Sequence, residues 1–305
     1  MKVLFISSGN SKLGISPIIK NQGNSLIKEG VALDFYTIKG KGLKGYLKAI
    51  PNIKAYIKKT NPNVVHVHYS LSAFAVSFAT RKPVVVSLMG SDLKAKNWYK
   101  YLIKMFNKLF WSAIIVKSED MKEDLGISSA HVIPNGVDYE VCRPVDKELA
   151  LKKTAWDPTK RHVLFAANPN NFVKNFTLAK AAFEQANCKG VELQYLDGVP
   201  FDQIVYYHNA ADVVLLTSKW EGSPNVIKEA MACNVPIVAT NVGDIAELTH
   251  KTAGCFITSQ HQDEIAISIK KALDFKERTT GREDIKHLNS KIIAKRLIDL
   301  YHSTI

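Results

Sequence analysis

Short, nearly continuous apolar runs alternate along this chain with longer stretches that carry apolar residues at helical spacing. The runs are rich in β-branched residues and are bounded by turn residues, which is typical of strands buried on both faces of a parallel sheet. Strand–helix alternation of this kind predicts an α/β fold. The predicted strands are Val3–Ile6, Ala32–Ile38, Val64–Val67, Val84–Leu88, Ala113–Val116 and His131–Ile133 in the first half, and His162–Ala166, Glu192–Leu196, Val213–Leu216, Pro236–Ala239 and Gly254–Ile257 in the second.

The chain divides into two predicted units of similar length. Its 305 residues are enough for two domains of about 150 residues each. The turn residues at 134–136 and the polar stretch around Pro144 mark a boundary. We therefore expect an N-terminal α/β domain over residues 1–145, a second over residues 146–290 and a closing helix over residues 291–305. Predicted helices between the strands are Ile18–Lys28, Leu43–Lys59 and Leu178–Asn187.

Cysteine usage and apolar run length exclude several classes of protein. The four cysteines form no pair or cluster with metal-ligand spacing, which indicates reduced thiols rather than a disulfide framework or a zinc site. The N-terminal apolar run is too short for a signal peptide and fits a first strand. No apolar run approaches the ~20 residues that span a bilayer. We expect a cytoplasmic protein, peripheral at the inner face of the cell membrane.

Positive charge is concentrated in the first half of the chain. Residues 1–150 contain 22 Lys and Arg against 11 Asp and Glu, whereas residues 151–305 contain 19 against 17. This asymmetry predicts an anionic partner for the first half: a membrane surface, nucleic acid or a phosphorylated substrate. No helix-turn-helix, zinc or RNP-type pattern supports nucleic acid.

A strand–loop–helix segment in the second half carries the strongest functional signal. The strand ends near Leu216, and the helix is predicted to begin at about Ser223, with Ser223 as N-cap and Pro224 as first helical residue. A helix N-terminus binds phosphate, and Gly222 allows close backbone approach. In open α/β sheets, ligands bind beyond the carboxyl ends of the strands.

Two glutamates flank this predicted helix start. Glu221 precedes it and Glu229 lies about two turns in, so both can reach one ligand. Either could instead be an ordinary surface charge.

Glu221 and Glu229 form the E-x7-E pattern of the retaining family 4 glycosyltransferases, which the chain resembles. The segments that carry the resemblance are Ala210–Asp212, Glu221–Pro224, Pro236–Thr240, Gly243–Glu247 and Ile133–Asp138. They occur in the family's order, and the chain resembles bacterial members that build capsular or other surface polysaccharides. The resemblance implies the α/β GT-B fold, two Rossmann-like domains whose parallel sheets face each other across a cleft.

The resemblance also implies roles for residues of the second half. Glu229 would hold the ribose hydroxyls of a nucleoside diphosphate sugar, and Glu221 would contact the donor sugar. The amides near Ser223 and Asn225 would face the diphosphate. A carboxylate suits a diol because it accepts two hydrogen bonds.

Lys174 matches the family lysine that faces the leaving diphosphate, and it could otherwise be a solvated lysine. The arginine that family members carry nearby is absent, and Lys219 is a candidate replacement. Fixed cations of this kind remove the need for a divalent metal, so no metal or other cofactor is expected.

The first half resembles the family's acceptor side. Gly9, followed by Asn10, Ser11 and Gly14, resembles the glycine loop that approaches the donor phosphates. Met89 occupies a position where family members commonly have His. Met cannot transfer a proton, so Asp92 and backbone groups are candidates for that role.

His66 and His68 alternate at a strand end, and we expect them to point to opposite faces, one toward the cleft. Ordinary structural histidines are the alternative.

The segment Lys94–Trp111 is predicted to form a basic amphipathic helix. Lys96, Lys100, Lys104 and Lys108 recur every four residues beside bulky apolar side chains. Such a helix suits an anionic membrane surface or a lipid-linked phosphorylated acceptor, although a core-facing helix with a solvated lysine face has the same pattern.

The sequence therefore favours a glycosyltransferase that moves a sugar from a nucleoside diphosphate sugar to a hydroxyl, here of a lipid-linked saccharide. The resemblance implies retention by same-face attack, in which the leaving phosphate takes the acceptor proton. Two rivals stay open: a GT-B epimerase or phosphorylase, and a non-catalytic sugar-nucleotide-binding subunit of a partner transferase, which Met89 and the absent arginine motivate.

Overall fold

The computed structural model describes residues 1–10, 14–40, 42–94 and 97–305. Within these ranges the chain forms two compact units. The first contains Met1–Gly136 and Ser290–Ile305, and the second contains Val137–Asn289. Ser11 and Lys96, which the sequence placed in functional segments, lie outside the described residues.

The first unit is built on a six-stranded sheet with the strand order β2-β1-β3-β4-β5-β6, and the described strand pairs are all parallel. Its strands are β1 Lys2–Ser8, β2 Ala32–Ile38, β3 Val64–His68, β4 Val84–Ser87, β5 Ala113–Val116 and β6 His131–Val132.

The second unit is built on a five-stranded sheet with the order β11-β10-β9-β7-β8, and its described pairs are also parallel. Its strands are β7 Arg161–Phe165, β8 Val191–Tyr195, β9 Val213–Leu216, β10 Ile237–Thr240 and β11 Cys255–Thr258. Each of the predicted strands is thus present, and the α/β prediction is confirmed.

Helices connect successive strands in both units, as right-handed crossovers between parallel strands require. The helices are α1 Pro17–Lys28, α2 Gly42–Thr60, α3 Ser70–Ser77, α4 Asn97–Phe110, α5 Glu119–Leu125, α6 Lys147–Thr154, α7 Phe176–Ala186, α8 Ile204–Ala210, α9 Asn225–Ala232, α10 Ile245–Thr249, α11 Gln262–Asp274, α12 Gly281–Asp284 and α13 Ser290–Thr304.

Both faces of each sheet are buried. In the first unit, alternate side chains of the strands, such as Leu4, Val65 and Val86, pack against α2, α3 and α4. In the second unit, residues such as Val163 and Leu215 pack against α7 and α11. Continuous apolar strands are the consequence of this two-sided burial.

The observed division falls between Gly136 and Val137, earlier in the chain than the expected boundary at 145. Gly136 belongs to the first unit because a Cβ there would lie 2.6 Å from the Cα of Ser290. Val137 belongs to the second, where it bridges to Asn289 in parallel fashion. The closing helix α13 returns to the first unit and packs against α1.

Truncation of a buried side chain on α13 tests whether this helix is part of the first core. Leu297 is fully buried, so Leu297→Ala should lower the free energy of unfolding by about 2–5 kcal/mol. Ile292 is exposed on the same helix, and Ile292→Ala should cost less than about 1 kcal/mol. Urea denaturation followed by circular dichroism measures both, and equal losses would contradict this packing.

Candidate active site

An ion pair joins the loops that follow two neighbouring strands of the second unit. Lys174 follows β7, Glu221 follows β9, and the Nζ of Lys174 donates to the Oε1 of Glu221 at 2.5 Å. The hydroxyl of Ser218 donates to the same oxygen at 2.6 Å. Glu221 Oε2 makes no hydrogen bond to the described residues, so this oxygen can accept one from a ligand.

Backbone contacts hold these two loops together. The hydroxyl of Thr217 lies 3.0 and 3.1 Å from the carbonyl oxygens of Lys174 and Asn175, and the amide of Lys219 donates to the carbonyl of Val173 at 2.9 Å. The loops that carry Lys174 and Glu221 are therefore joined by these contacts as well as by the ion pair.

A third loop, which follows β10, approaches the same place. Gly243 has φ +59°, and a Cβ on it would lie 2.5 Å from the carbonyl oxygen of Gly222. The hydroxyl of Thr240 also donates to the carbonyl of Ser218 at 2.8 Å. Only glycine fits at position 243, because any other residue would push the two loops apart.

Helix α9 begins at Asn225 rather than at Pro224, so the predicted cap was wrong by one residue. Pro224 occupies the N-cap position with extended dihedrals of φ −71° and ψ 120°. The hydroxyl of Ser223 forms no cap hydrogen bond with the described helix. The free amides of the first turn of α9 are thus left available to an anion.

Three buried polar atoms around this helix start lack a hydrogen-bond partner of ordinary geometry within the described ranges. They are the Oγ of Ser223, the Oδ1 of Asn225 and the Oδ1 of Asp244, although the Ser223 hydroxyl is close enough to the Asp244 carboxylate to lower the pKa of that carboxyl. Buried polar atoms are satisfied as a rule, and their concentration here indicates a place that a polar ligand or water fills.

Glu229 lies in the second turn of α9 and is largely buried. Its Oε2 lies 3.8 Å from the Nε2 of His208, and its carboxylate makes no hydrogen bond to the described part of the chain. The residue therefore retains acceptor capacity for a diol.

Lys228 and Asp244 were not identified from the sequence. Lys228 is fully buried, and burial lowers its pKa to about 8, an effect that Asp244 and Glu229 partly offset. Burial likewise raises the pKa of Asp244 to about 6, against the opposing charge of Lys228. The sequence signal for Lys228 is weak, because Glu229 follows it directly and a Lys-Glu pair on a helix is usually exposed.

Lys219, the candidate replacement for the absent arginine, contacts an aromatic ring of the loop that carries Lys174. Its Nζ lies 3.4 Å from the centroid of the Phe172 ring, which is a cation–π contact.

Asp92, in the first unit, supports a loop. Its Oδ1 accepts from the amide and hydroxyl of Ser70 at 2.8 and 2.5 Å, and its Oδ2 accepts from the amide of Met89 at 2.8 Å. Since both oxygens are engaged and the residue is buried, these contacts favour a positioning role for Asp92.

The glycine loop after β1 is tied to the neighbouring strand. The amide of Gly9 donates to the carbonyl of Ile38 at 2.8 Å, and a Cβ on Gly9 would lie 2.7 Å from that of Thr37. The side chain of Asn10 exchanges hydrogen bonds with both backbone groups of Gly40. Gly14 adopts a left-handed φ of +67°.

The expectation that His66 and His68 point to opposite faces was wrong. Residues two apart on a strand share a face, and the two rings stack with centroids 4.5 Å apart. His66 bonds Tyr301 and Ser87 at 2.5 and 2.8 Å. Burial and the nearby Lys117 lower the pKa of both histidines, which favours the neutral form of each ring.

The second unit thus brings together six predicted residues around the start of α9: Lys174, Glu221, Gly222, Ser223, Asn225 and Glu229. Gly9, Gly14 and Asp92 lie in the first unit. No group of three or more His, Cys, Asp or Glu among the described residues is arranged to hold a metal ion.

The raised pKa of Asp244 predicts a pH-dependent stability. Because its pKa rises from 3.8 to about 6 on folding, the folded protein retains a proton that the unfolded chain releases between these values. The free energy of unfolding should fall by on the order of 2–3 kcal/mol from pH 4 to pH 7, relative to Asp244→Asn. Urea titrations of both proteins across this range measure it, and a pH-independent difference would contradict the assignment.

Two family models match the chain in succession. The model described as Glycosyltransferase Family 4 matches residues 24–141, and the model described as Glycosyl transferases group 1 matches residues 173–274. Together they cover more than half of the chain, and each lies largely within one of the two units.

Curated relatives of the chain are also named as glycosyltransferases. The putative teichuronic acid biosynthesis glycosyltransferase TuaC of Bacillus subtilis is 27% identical over 68% of this chain and 60% of its own length. The UDP-Gal:alpha-D-GlcNAc-diphosphoundecaprenol alpha-1,3-galactosyltransferase of Escherichia coli is 24% identical over 64% of this chain and 62% of its own. The chain thus aligns with about three fifths of each relative.

Among solved structures, Anabaena Alr3699/HepE in complex with UDP-glucose is similar with a TM-score of 0.79 at 16% identity, covering 99% of this chain and 100% of that one. At this identity the likeness shows the fold alone, which is GT-B with two Rossmann-like domains.

Within the described residues, no helix is both long and apolar enough to cross a bilayer.

The two family models match both halves of the chain in order. The chain therefore belongs to the family 4 glycosyltransferases of GT-B fold.

Proposed function

We propose that this chain is a retaining glycosyltransferase that moves a sugar from a nucleoside diphosphate sugar to a hydroxyl of a lipid-linked saccharide. The observation that carries the proposal is the start of α9. There, free helix amides and the buried polar side chains of Ser223, Asn225 and Asp244 lie in the same unit as Glu221, Lys174 and Glu229.

Each part of the donor has a matching group. The amides of the first turn of α9 and the partial positive charge of the helix would bind the diphosphate. The carboxylate of Glu229 would accept hydrogen bonds from the ribose hydroxyls. The open Oε2 of Glu221 would accept one from the donor sugar, while its Oε1 stays bound to Lys174 and Ser218.

Charge stabilisation is the main catalytic contribution of these groups. As the glycosyl bond breaks, negative charge develops on the diphosphate, and the preorganised Lys174 ammonium and helix amides would stabilise it. In this scheme they replace a divalent cation, so the reaction would need no metal. The acceptor would attack from the side of the departing phosphate, which takes the hydroxyl proton, and the sugar would keep its anomeric configuration.

The relatives guide the choice of substrates. The Escherichia coli relative is named for a UDP-sugar donor and a diphosphoundecaprenol acceptor. By analogy, a UDP-sugar is the first donor to test, and the acceptor would be a lipid-linked saccharide of surface-polysaccharide synthesis. The chain would then work in the cytoplasm, peripherally at the anionic inner face of the cell membrane.

A non-catalytic sugar-nucleotide-binding subunit is the second candidate. Met89 and the absence of the family arginine motivate it. Turnover of a donor by the purified chain alone would eliminate this candidate. Nucleotide binding without turnover, restored by a partner transferase, would support it.

Calorimetric titration tests the donor site. Wild type should bind one of UDP, GDP or ADP with micromolar affinity, unchanged by EDTA. Glu229→Ala should weaken binding about 30-fold or more, because charge-assisted hydrogen bonds to the ribose are lost.

The matched control is Glu184→Ala, which removes an exposed glutamate of α7 in the same unit and should bind like wild type. Equal binding by Glu229→Ala and wild type would contradict the role of Glu229. Binding of no nucleotide would contradict the donor site as a whole.

Lys174→Met tests charge stabilisation separately from binding. Loss of the ammonium should lower kcat by about 10²–10³, because the diphosphate charge develops mainly in the transition state. Lys174→Arg should recover part of the activity, and Lys180→Met, which changes an exposed lysine of α7, should be silent. A kcat unchanged in Lys174→Met would remove this residue from the mechanism.

A further inference from the structure

Helix α4 has two apolar faces, of which the first unit buries only one. Ile103 and Phe106 pack into the core together with the neighbouring Trp111. That face alone anchors the helix to the sheet.

A second apolar stripe of α4 is exposed to solvent. Trp98, Tyr101 and Leu109 are 61%, 69% and 63% exposed, and Met105 lies between them with its side chain also exposed. The spacing of three and then four residues places these side chains along one line of the helix. Single exposed apolar residues are common, but a continuous row of this size marks an interaction surface.

The stripe continues beyond the helix onto α3. Phe110, at the end of α4, lies 5.7 Å from the ring of Phe78, which is also exposed and directly follows α3. We call the whole set the α4 surface. Its members are Trp98, Tyr101, Met105, Leu109, Phe110 and Phe78.

Basic groups flank the α4 surface. Lys104 and Lys108 are exposed one helical step away from the stripe. At the Phe78 end, Lys54, Arg81 and Lys82 line an open groove of about 790 Å³ together with Phe78, Leu109 and Phe110. The groove places cations and apolar side chains side by side.

Acidic side chains are rare in the sequence that leads up to α5, a helix that adjoins α4 through Lys100 and has four exposed acids of its own (Glu119, Asp120, Glu123 and Asp124). Residues 42–118 contain 13 Lys and Arg and one acid, Asp92. Asp92 is buried and holds Ser70 and Met89, so it does not offset the surface charge. Lys100 is the exception among the α4 lysines, since it pairs with Asp124 at 2.5 Å.

These features together indicate which kind of partner binds the α4 surface. Exposed Trp and Tyr beside apolar residues suit the boundary between lipid headgroups and acyl chains, and flanking cations suit anionic headgroup phosphates. A second copy of this chain fits poorly, because it would bring two basic faces together.

We propose that the α4 surface docks onto an anionic lipid bilayer, with α4 lying in the interface and Trp98, Tyr101 and Leu109 entering the headgroup–acyl boundary. Its purpose, placing the protein beside a lipid-linked acceptor, rests on the proposed function, but the docking itself does not.

Vesicle binding without nucleotide tests the docking independently of the donor site. Wild type should co-sediment with vesicles of equal phosphatidylglycerol and phosphatidylcholine, and weakly or not at all with phosphatidylcholine alone. Lys104→Gln with Lys108→Gln should bind the anionic vesicles on the order of 30-fold more weakly. The control, Lys270→Gln with Lys271→Gln, makes the same charge change on exposed positions of α11 and should bind like wild type.

The apolar stripe is tested by substitution and by fluorescence. Leu109→Ser should weaken anionic-vesicle binding about tenfold or more, whereas Ile267→Ser, at another largely exposed position, on α11, should have no effect. Anionic vesicles should shift the tryptophan emission of wild type to the blue. Trp98→Phe should still bind but should lose most of that shift. Circular dichroism confirms that each variant is folded.

Several results would overturn the proposal. One is an equal loss of anionic-vesicle binding in the α4 and α11 variants. A second is a tryptophan blue shift that Trp98→Phe retains. A third is a wild type that does not bind anionic vesicles. Concentration-dependent self-association or RNA binding that the α4 variants abolish, without vesicle binding, would reassign the surface. None of these outcomes bears on nucleotide binding by the second unit, so the two proposals fail separately.

Discussion

The ion pair between Lys174 and Glu221 determines how the candidate site is built. It joins the loops after β7 and β9, which are neighbours in the second sheet. The loop after β10 closes on them through the contact of Gly243 with Gly222. Because parallel strands end at one edge, three loops distant in sequence meet where α9 begins. Cation, carboxylate and helix amides are thereby fixed before a ligand arrives, as electrostatic preorganisation requires.

The two units contribute different chemistry. The second unit concentrates groups that suit a nucleoside diphosphate and has a nearly balanced charge. The first unit holds the chain's excess of positive charge, and its glycine loop and Asp92 are engaged with their own backbone. The α4 surface is the part of the first unit that is exposed and suited to a partner. These features favour a scheme in which the second unit binds the donor and the first unit brings the protein to a membrane-bound acceptor.

Much of the fold was predictable because each strand is an apolar run between turn residues, a pattern that depends only on local sequence. The pair Glu221 and Glu229 was likewise predictable from its spacing. Features that depend on tertiary contacts could not be predicted from local sequence. The return of α13 to the first unit and the contact of Lys219 with Phe172 depend on residues far apart in the chain. The period of two in a strand requires His66 and His68 to share a face, as their stacked rings do, so the expectation of opposite faces had no local basis.

The proposed donor site requires that the start of α9 bind a nucleoside diphosphate. Hydrogen–deuterium exchange with and without saturating UDP measures this for each backbone amide. Binding should slow exchange over residues 222–226 and in the loop around Lys174, because the diphosphate covers the free amides of the helix start. Unchanged exchange in these segments at saturating UDP, with protection confined to the first unit, would contradict the account.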